Sequence, residues 1–385
     1  MTMLDTAYFG REQTAIKHSV LRQYVTALAL IVGRRIAHDI VYVDCCSGPW
    51  NTVNDDLSDS SVGIAIRQLR LARDTLAAEG RTISFLCLFV EKDPTAYAQL
   101  ARFCKSVSDL EVRPLPGDFT AHIPKILEFV AQRNGSFPFF FIDPTGWSSL
   151  KINPLVPLLQ ATPGEVLVNF MTSHIRRFLE VDGKDFGALL GAKALENMRG
   201  LSGQERDDAA AFAYANQIQR AGNFTYVCTT LVLNPQRNET HYHLIYATRH
   251  HKGVGVFKQA ERHASEFMAL ARADAQQRHR IEVTQQSELF SVQQHGAGND
   301  HHLISLRNRY LRQAHDAVEQ QLSLNRRRPI PYDDAWKIAS RFPLVWESDL
   351  HKWIRAWQGK INVLGMKPNQ RVPKCRSGNA LIWTA

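Results

Sequence analysis

VYVDCCSGPW, residues 41–50, is the stretch on which the fold turns. Val41, Tyr42 and Val43 favour extended backbone, and with Ile40 they predict a short buried strand. The strand runs into a carboxylate, Asp44, and then at once into small and turn-forming residues: Cys45, Cys46, Ser47, Gly48 and Pro49. Open α/β sheets bind nucleoside-like ligands with such a junction, an acid at the carboxyl end of a strand followed by a turn whose backbone a ligand can approach closely. An ordinary strand-to-loop junction has the same look in isolation. No GxGxxG follows, so the dinucleotide fingerprint is not supported.

The neighbouring segments repeat the pattern. Residues 11–36 predict a helix, with Ile16, Val20, Tyr24, Leu28 and Val32 near one face. After a polar loop, 51–62, and a helix from about 63 to 78 comes ISFLCLFVE (83–91), nearly all apolar and ending on Glu91. A helix near 94–105, a short strand near Val112 and the turn Pro116–Gly117–Asp118–Phe119 come next. A helix near 121–132 then leads into FPFFFID (137–143), again closed by an acid, and into Pro144–Thr145–Gly146–Trp147. A helix near 153–160 precedes EVLVNFM (165–171), which carries Asn169. Continuous apolar strands alternating with helices predict a parallel sheet covered on both faces. Polar residues at several carboxyl ends then define one cleft. Residues 175–223 predict a helical insertion beside that cleft. YVCTTLVL (226–233) and HYHLIYAT (241–248) are joined too closely for a crossover, so they predict an antiparallel pair, and a long helix near 257–281 closes the domain.

At 385 residues the chain exceeds one typical domain. Its 44% hydrophobic and 22% charged composition suits a globular protein with a real core, and no apolar run reaches membrane-spanning length. The N-terminus lacks a charged-then-apolar signal pattern. The six cysteines have no CxxC spacing, and buried free thiols in a reducing cytoplasm are expected. The net charge of +9 is concentrated in one place: residues 301–385 hold 15 Lys and Arg against 6 Asp and Glu, leaving 31 of each in the first 300. A neutral body with a basic tail points to one module that meets a polyanion.

A parallel sheet that ends in an antiparallel hairpin resembles the class I S-adenosylmethionine-dependent methyltransferases. That likeness implies roles for the strand-end residues. Asp44 would sit near the methionine or ribose end of the cofactor, with Ser47 and Gly48 in the turn that approaches it. Glu91 would accept the ribose hydroxyls, Asp118 the adenine amino group, and Phe119 would stack on the adenine ring. Asp143–Pro144–Thr145–Gly146–Trp147 resembles the Asp/Asn-Pro-Pro-aromatic turn of amino methyltransferases acting on adenine. There Asp143 and the Pro144 region would hold an exocyclic amine, with Trp147 stacking on an extruded base. Capping and turn roles are the plain alternatives for each residue. Three acids above one sheet also suit a divalent metal, but no second acid follows closely at Asp44 or Asp143. The pairs His250–His251 and His301–His302 lack supporting ligand spacing, so no metal site is expected.

Residues 283–325 predict a polar linker and a connecting helix, and 326–385 a separate basic domain after the 1–282 α/β domain. Two short helices, the second bearing Leu350, Trp353, Ile354 and Trp357, precede a stretch able to fold back as a β wing. Arg326, Arg327, Arg328, Lys352, Arg355, Lys360, Lys374 and Arg376 would meet phosphates. The pattern resembles a winged helix-turn-helix.

The order of the pieces resembles the three-Cys-motif partner family. The matching residues are Lys17–His18, YVDCCSGP (42–49), Gly63, FVEKD (89–93), GDF (117–119), FIDPTGW (141–147), EVLVNF (165–170), Arg176–Arg177 and YATRHHKG (246–253). Trp50 stands where that family commonly has glycine. The resemblance implies a Rossmann-like domain and a partner protein with a three-cysteine motif similar to radical-S-adenosylmethionine enzymes. Two expectations follow: a cytoplasmic methyltransferase acting on DNA or RNA, or a non-catalytic adaptor that binds such a partner and a nucleic acid.

Overall fold

A computed structural model describes residues 5–48, 52–54, 56–178, 186–284 and 300–385. Pro49, Trp50 and most of the expected linker lie outside the described residues. The chain opens with α1 (Glu12–Arg35), β1 (Asp39–Asp44), α2 (Ser61–Ala78), β2 (Ser84–Glu91), α3 (Pro94–Ser106) and β3 (Glu111–Pro116). It continues with α4 (Ile123–Ala131), β4 (Phe137–Ile142), α5 (Ile152–Leu159), β5 (Glu165–Phe170), α6 (Thr172–Phe178), α7 (Gly187–Leu190), α8 (Ala192–Met198) and α9 (Gly203–Gly222). The hairpin β6 (Tyr226–Leu233) and β7 (Thr240–Thr248) leads to α10 (His251–Thr284).

These strands form one seven-stranded sheet in the order β3-β2-β1-β4-β5-β7-β6. The first five are parallel; β7 runs antiparallel to both β5 and β6. This is a Rossmann-like sheet of the methyltransferase type. The chain order reverses on either side of β1, which lies between β2 and β4, so a crevice opens at the carboxyl ends of β1 and β4.

Period-two alternation sends neighbouring side chains to opposite layers. Tyr42, Phe89, Phe139 and Phe141 pack with α1, α2 and α10, whereas Val43, Leu88, Phe140 and Ile142 pack with α4, α5 and α9. With both faces covered, β4 is buried at every residue. Within the segment expected as a helical insertion, 175–223, α9 turns Ala210, Ala211, Tyr214 and Ile218 into the second core.

At the amino end of β5, Glu165 is buried. It accepts from Thr248 Oγ1 at 2.6 Å and from the Tyr24 hydroxyl, which also reaches the Tyr246 hydroxyl at 2.8 Å. Burial raises the Glu165 pKa against these lowering hydrogen bonds.

The C-terminal elements are α11 (His301–Leu324), β8 (Pro329–Pro331), α12 (Tyr332–Ala339), α13 (Glu347–Ala356), β9 (Ile361–Leu364) and β10 (Ala380–Trp383). Their strands make an antiparallel sheet in the order β8-β10-β9. This unit packs on the α/β body through one continuous apolar cluster. Buried polar contacts hold it there. Lys258 Nζ donates to Phe342 O at 2.7 Å and pairs with Glu261 at 3.0 Å, and Glu261 accepts from Leu344 N at 2.9 Å. Tyr310 donates to Asp208 at 2.7 Å, and Thr229 of β6 donates through its N–H and its hydroxyl to Arg341 O. No described helix is long and apolar enough to cross a membrane.

Candidate functional site

A cavity of about 630 Å³ lies over the carboxyl ends of β1 to β4, bounded by Cys45 and Cys46, Glu91, Asp118–Phe119, and the turn after β4. Its size is that of a site for a drug-sized ligand. Gly117 shapes one wall. It has φ +118°, a conformation that L side chains rarely adopt, so the turn favours glycine, and a Cβ there would also displace the His122 ring, 2.5 Å away. Its N–H donates to Glu91 O at 2.8 Å, tying the β3 turn to the end of β2.

A second pocket of about 230 Å³ lies on the other side of the same turn, between the start of α1 and the ends of β5 and β7. The two share Cys46, Asp143, Pro144 and Thr145. Asp143 therefore stands in the wall between a larger and a smaller compartment. Its Oδ2 pairs with Lys17 Nζ from α1, and its Oδ1 accepts from Asn169 Nδ2 of β5 at 2.6 Å. The charged turn is thus neutralised from 126 residues away in sequence.

Several sequence-predicted residues meet here and others do not. Glu91, Asp118, Phe119, Asp143 and Pro144 all line the larger cavity. Glu91 is buried and accepts from Asp93 N; burial raises its pKa. Asp118 also caps its own turn, accepting from Thr120 N at 2.8 Å and Thr120 Oγ1 at 2.6 Å. Gly48 lines the smaller pocket rather than the larger.

Asp44, Ser47 and Trp147 line neither cavity. Asp44 is fully enclosed, accepting from Ser61 Oγ at 2.7 Å and Cys46 N at 3.1 Å, and it reaches neither pocket. Burial raises its carboxyl to about 6. Ser47 donates its N–H to Val90 O and its hydroxyl to Asp44 O, so it braces the turn from beneath. The Trp147 ring packs on Phe186, centroids 4.7 Å apart, in the second core. The Cys45 and Cys46 thiols are pushed up by burial, which keeps them protonated and unreactive.

Sequence reasoning placed Asn169 among the strand ends that define the cleft and matched Lys17–His18 to a family motif, but gave none of the three a role in the site, and it did not single out Gln13. The α1 group sits at the front of that helix, and the smaller pocket brings it against Asn169. His18 is buried with Nδ1 at 3.0 Å from the Tyr8 hydroxyl, and burial with the adjacent Lys17 charge lowers its pKa, so the ring is neutral near pH 7. The loop over this pocket is pinned by Asp59, which pairs with Arg11 and accepts from Val53 N.

The basic residues of the tail divide into groups. Arg326, Arg327 and Arg328 are exposed where Arg327 N donates to Trp383 O, and Lys360 joins them through Thr384 N. Lys374 and Arg376 lie at the opposite end of the small sheet, where Arg376 approaches Asp333 at 4.0 Å. Lys352 and Arg355 are exposed on α13.

No family model and no curated protein matches the sequence. Among solved structures it is similar to a Legionella pneumophila protein of family DUF519, at 12% identity and TM-score 0.36, over 60% of this chain and 85% of that one. It is also similar to loganic acid methyltransferase with SAH, at 10% identity and TM-score 0.30, over 73% of this chain and 93% of that one. At such distances the strand order and directions define the fold, and these neighbours add no detail of the site.

Proposed function

We propose that the chain is an S-adenosylmethionine-dependent methyltransferase that acts on a nucleic acid at an exocyclic base amine. The observation that carries this reading is the pair of pockets sharing the Asp143–Pro144–Thr145 wall. A two-substrate transfer needs two sites meeting at one point, and the larger cavity is of cofactor size. The donor set fits a ligand that bears a positive charge and a ribose: Glu91, Asp93, Asp118 and Asp143 all border the cavity, against one lysine, Lys92. S-adenosylmethionine supplies an electrophilic methyl group when bound. Glu91 would hold the ribose hydroxyls, and Asp118 and Phe119 would receive the adenine. Lys17 and Asn169 fix Asp143 at the junction, so this carboxylate orients the acceptor from a set position.

For the nucleic acid, support comes from the tail. Its order of helix, strand, two helices and two strands supports the winged-helix reading. Arg326–Arg328, Lys352, Arg355, Lys360, Lys374 and Arg376 would neutralise phosphates. Calorimetry with S-adenosylmethionine, followed by transfer of labelled methyl to DNA and RNA, tests the reading. Saturable binding and labelled nucleic acid are expected, with transfer lost in Asp143→Ala while cofactor affinity is kept; no binding at millimolar ligand sinks it.

A second reading is a methyltransferase-fold adaptor for a three-Cys-motif protein and a nucleic acid. It is favoured by the packing of Trp147 on Phe186, which leaves the turn after β4 without an aromatic ring in either pocket.

A further inference from the structure

A third pocket, of about 240 Å³, opens at the end of the sheet away from the cleft. Leu28, Ile31 and Ile36 line it from the end of α1, Phe137 and Pro163 from the amino ends of β4 and β5, and Val256 from α10. Glu165 borders this pocket and Asn169 the smaller one, roughly 13 Å apart along β5. At about 30 Å³ for each water-sized group, the space takes on the order of eight heavy atoms.

The free charges around these apolar walls are of one sign. Arg249 and Lys252 both line the pocket. The Arg249 guanidinium donates to the carbonyls of Leu159, Ala161, Gly164 and Gly222, so its charge meets no carboxylate among the described residues. Lys252 is exposed and has no ion-pair partner among them either. Beside it, His250 accepts the Lys252 N–H at Nδ1, 3.2 Å away, and partial burial lowers its pKa. The neutral ring therefore carries its hydrogen on Nε2. The amino end of α10, a helix of 34 residues, adds its preference for an anion. Glu165 is the one acid of the lining among the described residues, and it is turned into the fold. It is 4% exposed and accepts from Tyr24 and Thr248. Gly253 lies against it, where a Cβ would meet Oε1 at 2.6 Å.

We propose that this pocket binds a small molecule with an apolar body and a carboxylate, the body between α1 and α10 and the carboxylate on Lys252 and His250 Nε2. Apolar walls take an alkyl or aryl body, and cations without counter-charges take an anionic head. Eight heavy atoms are too few for a nucleotide or for S-adenosylmethionine. The ligand is therefore neither partner of the proposed transfer, and the assignment does not rest on the methyltransferase reading.

The test is calorimetry of the full chain with hexanoate, hexan-1-ol, hexylamine and butyrate. Hexanoate should bind saturably, at least about tenfold tighter than the alcohol or the amine, as charge-assisted hydrogen bonds support. It should also bind about fifteenfold tighter than butyrate, at about fourfold for each added methylene. Lys252→Ala, at an exposed position, should remove most of the advantage over the alcohol while alcohol binding persists, which shows the pocket intact. Val256→Trp should abolish binding of all of them; where it fails to fold, the Lys252→Ala comparison decides. No saturation by hexanoate at about 50 mM, equal binding of acid, alcohol and amine, or an acid preference unchanged in Lys252→Ala overturns the proposal. So does competition between hexanoate and S-adenosylhomocysteine, which would place the acid in the cleft.

Discussion

Replacing Asp44 with asparagine should make the protein more stable at neutral pH, by an amount that depends on pH in a defined direction. Asp44 is wholly enclosed at the end of β1. Burial raises its carboxyl from 3.8 to about 6, against lowering hydrogen bonds from Ser61 and Cys46 N, with the nearby Asp143 charge adding to the rise. Below the unfolded value both states hold the proton. Between that value and about 6 the folded state keeps a proton the unfolded chain has released, so stability is lost as pH climbs through this window. A rise of this size corresponds to about 3 kcal/mol. Asp44→Asn removes the titration while preserving the contacts, since its oxygen can still accept from Cys46 N and its N–H can donate to Ser61 Oγ. Urea unfolding of both proteins from about pH 4 to about pH 7.5 should show the variant gaining on the parent by up to about 3 kcal/mol, nearly all of it by about pH 7. An equal stability difference at both ends of the range would refute the reasoning, because a carboxyl that titrates alike in both states cannot be enclosed as described.

Three other outcomes follow from the packing and the charges. Gly63→Ala puts a Cβ 2.1 Å from Leu57 O, so it should cost about 1–3 kcal/mol and speed proteolytic nicking of the 52–60 loop, read by urea melts and limited proteolysis. Tyr24→Phe strips hydrogen bonds from Glu165 and Tyr246 and should lower unfolding stability by about 1–3 kcal/mol; an unchanged midpoint would show that water replaces the hydroxyl. The double change Lys352→Ala with Arg355→Ala should flatten the plot of log affinity for DNA or RNA against log salt by about one unit for each phosphate the variant no longer neutralises, and an unchanged slope would exclude α13 from the interface.

Much of the sheet was legible because its strands declare themselves. FPFFFI and ISFLCLFVE are too apolar for anything but a doubly covered position, and the short turn after YVCTTLVL forbids a crossover. Glu91, Asp118 and Asp143 were legible as cavity residues for the same reason, each closing a strand. Asp44 closes a strand too, but the start of α2 arrives over it with Ser61, and only the fold brings those residues together. Lys17 and Asn169 meet Asp143 across 126 and 26 residues with no local pattern to mark the encounter. Trp147 was read by its neighbours in the chain, whereas its partner Phe186 comes from a segment with no periodicity. The 175–223 stretch looked like an addition because its polar residues outnumber the small apolar ones that α9 buries.

The contact between β6 and Arg341 has a consequence for how the molecule behaves in company. An open sheet has two outer strands, and each displays unpaired backbone groups that invite another chain to add on. β3 protects itself: Pro114 and Pro116 remove N–H donors, and Arg113 and Glu111 put charge along that margin. β6 has no proline and no charged residue, and is buried along its whole length. Its cover is borrowed from the loop after α12, where Arg341 O receives both donors of Thr229. The basic C-terminal unit is therefore also a guard rail, and a chain cut ahead of it would carry a bare, apolar margin primed for self-association.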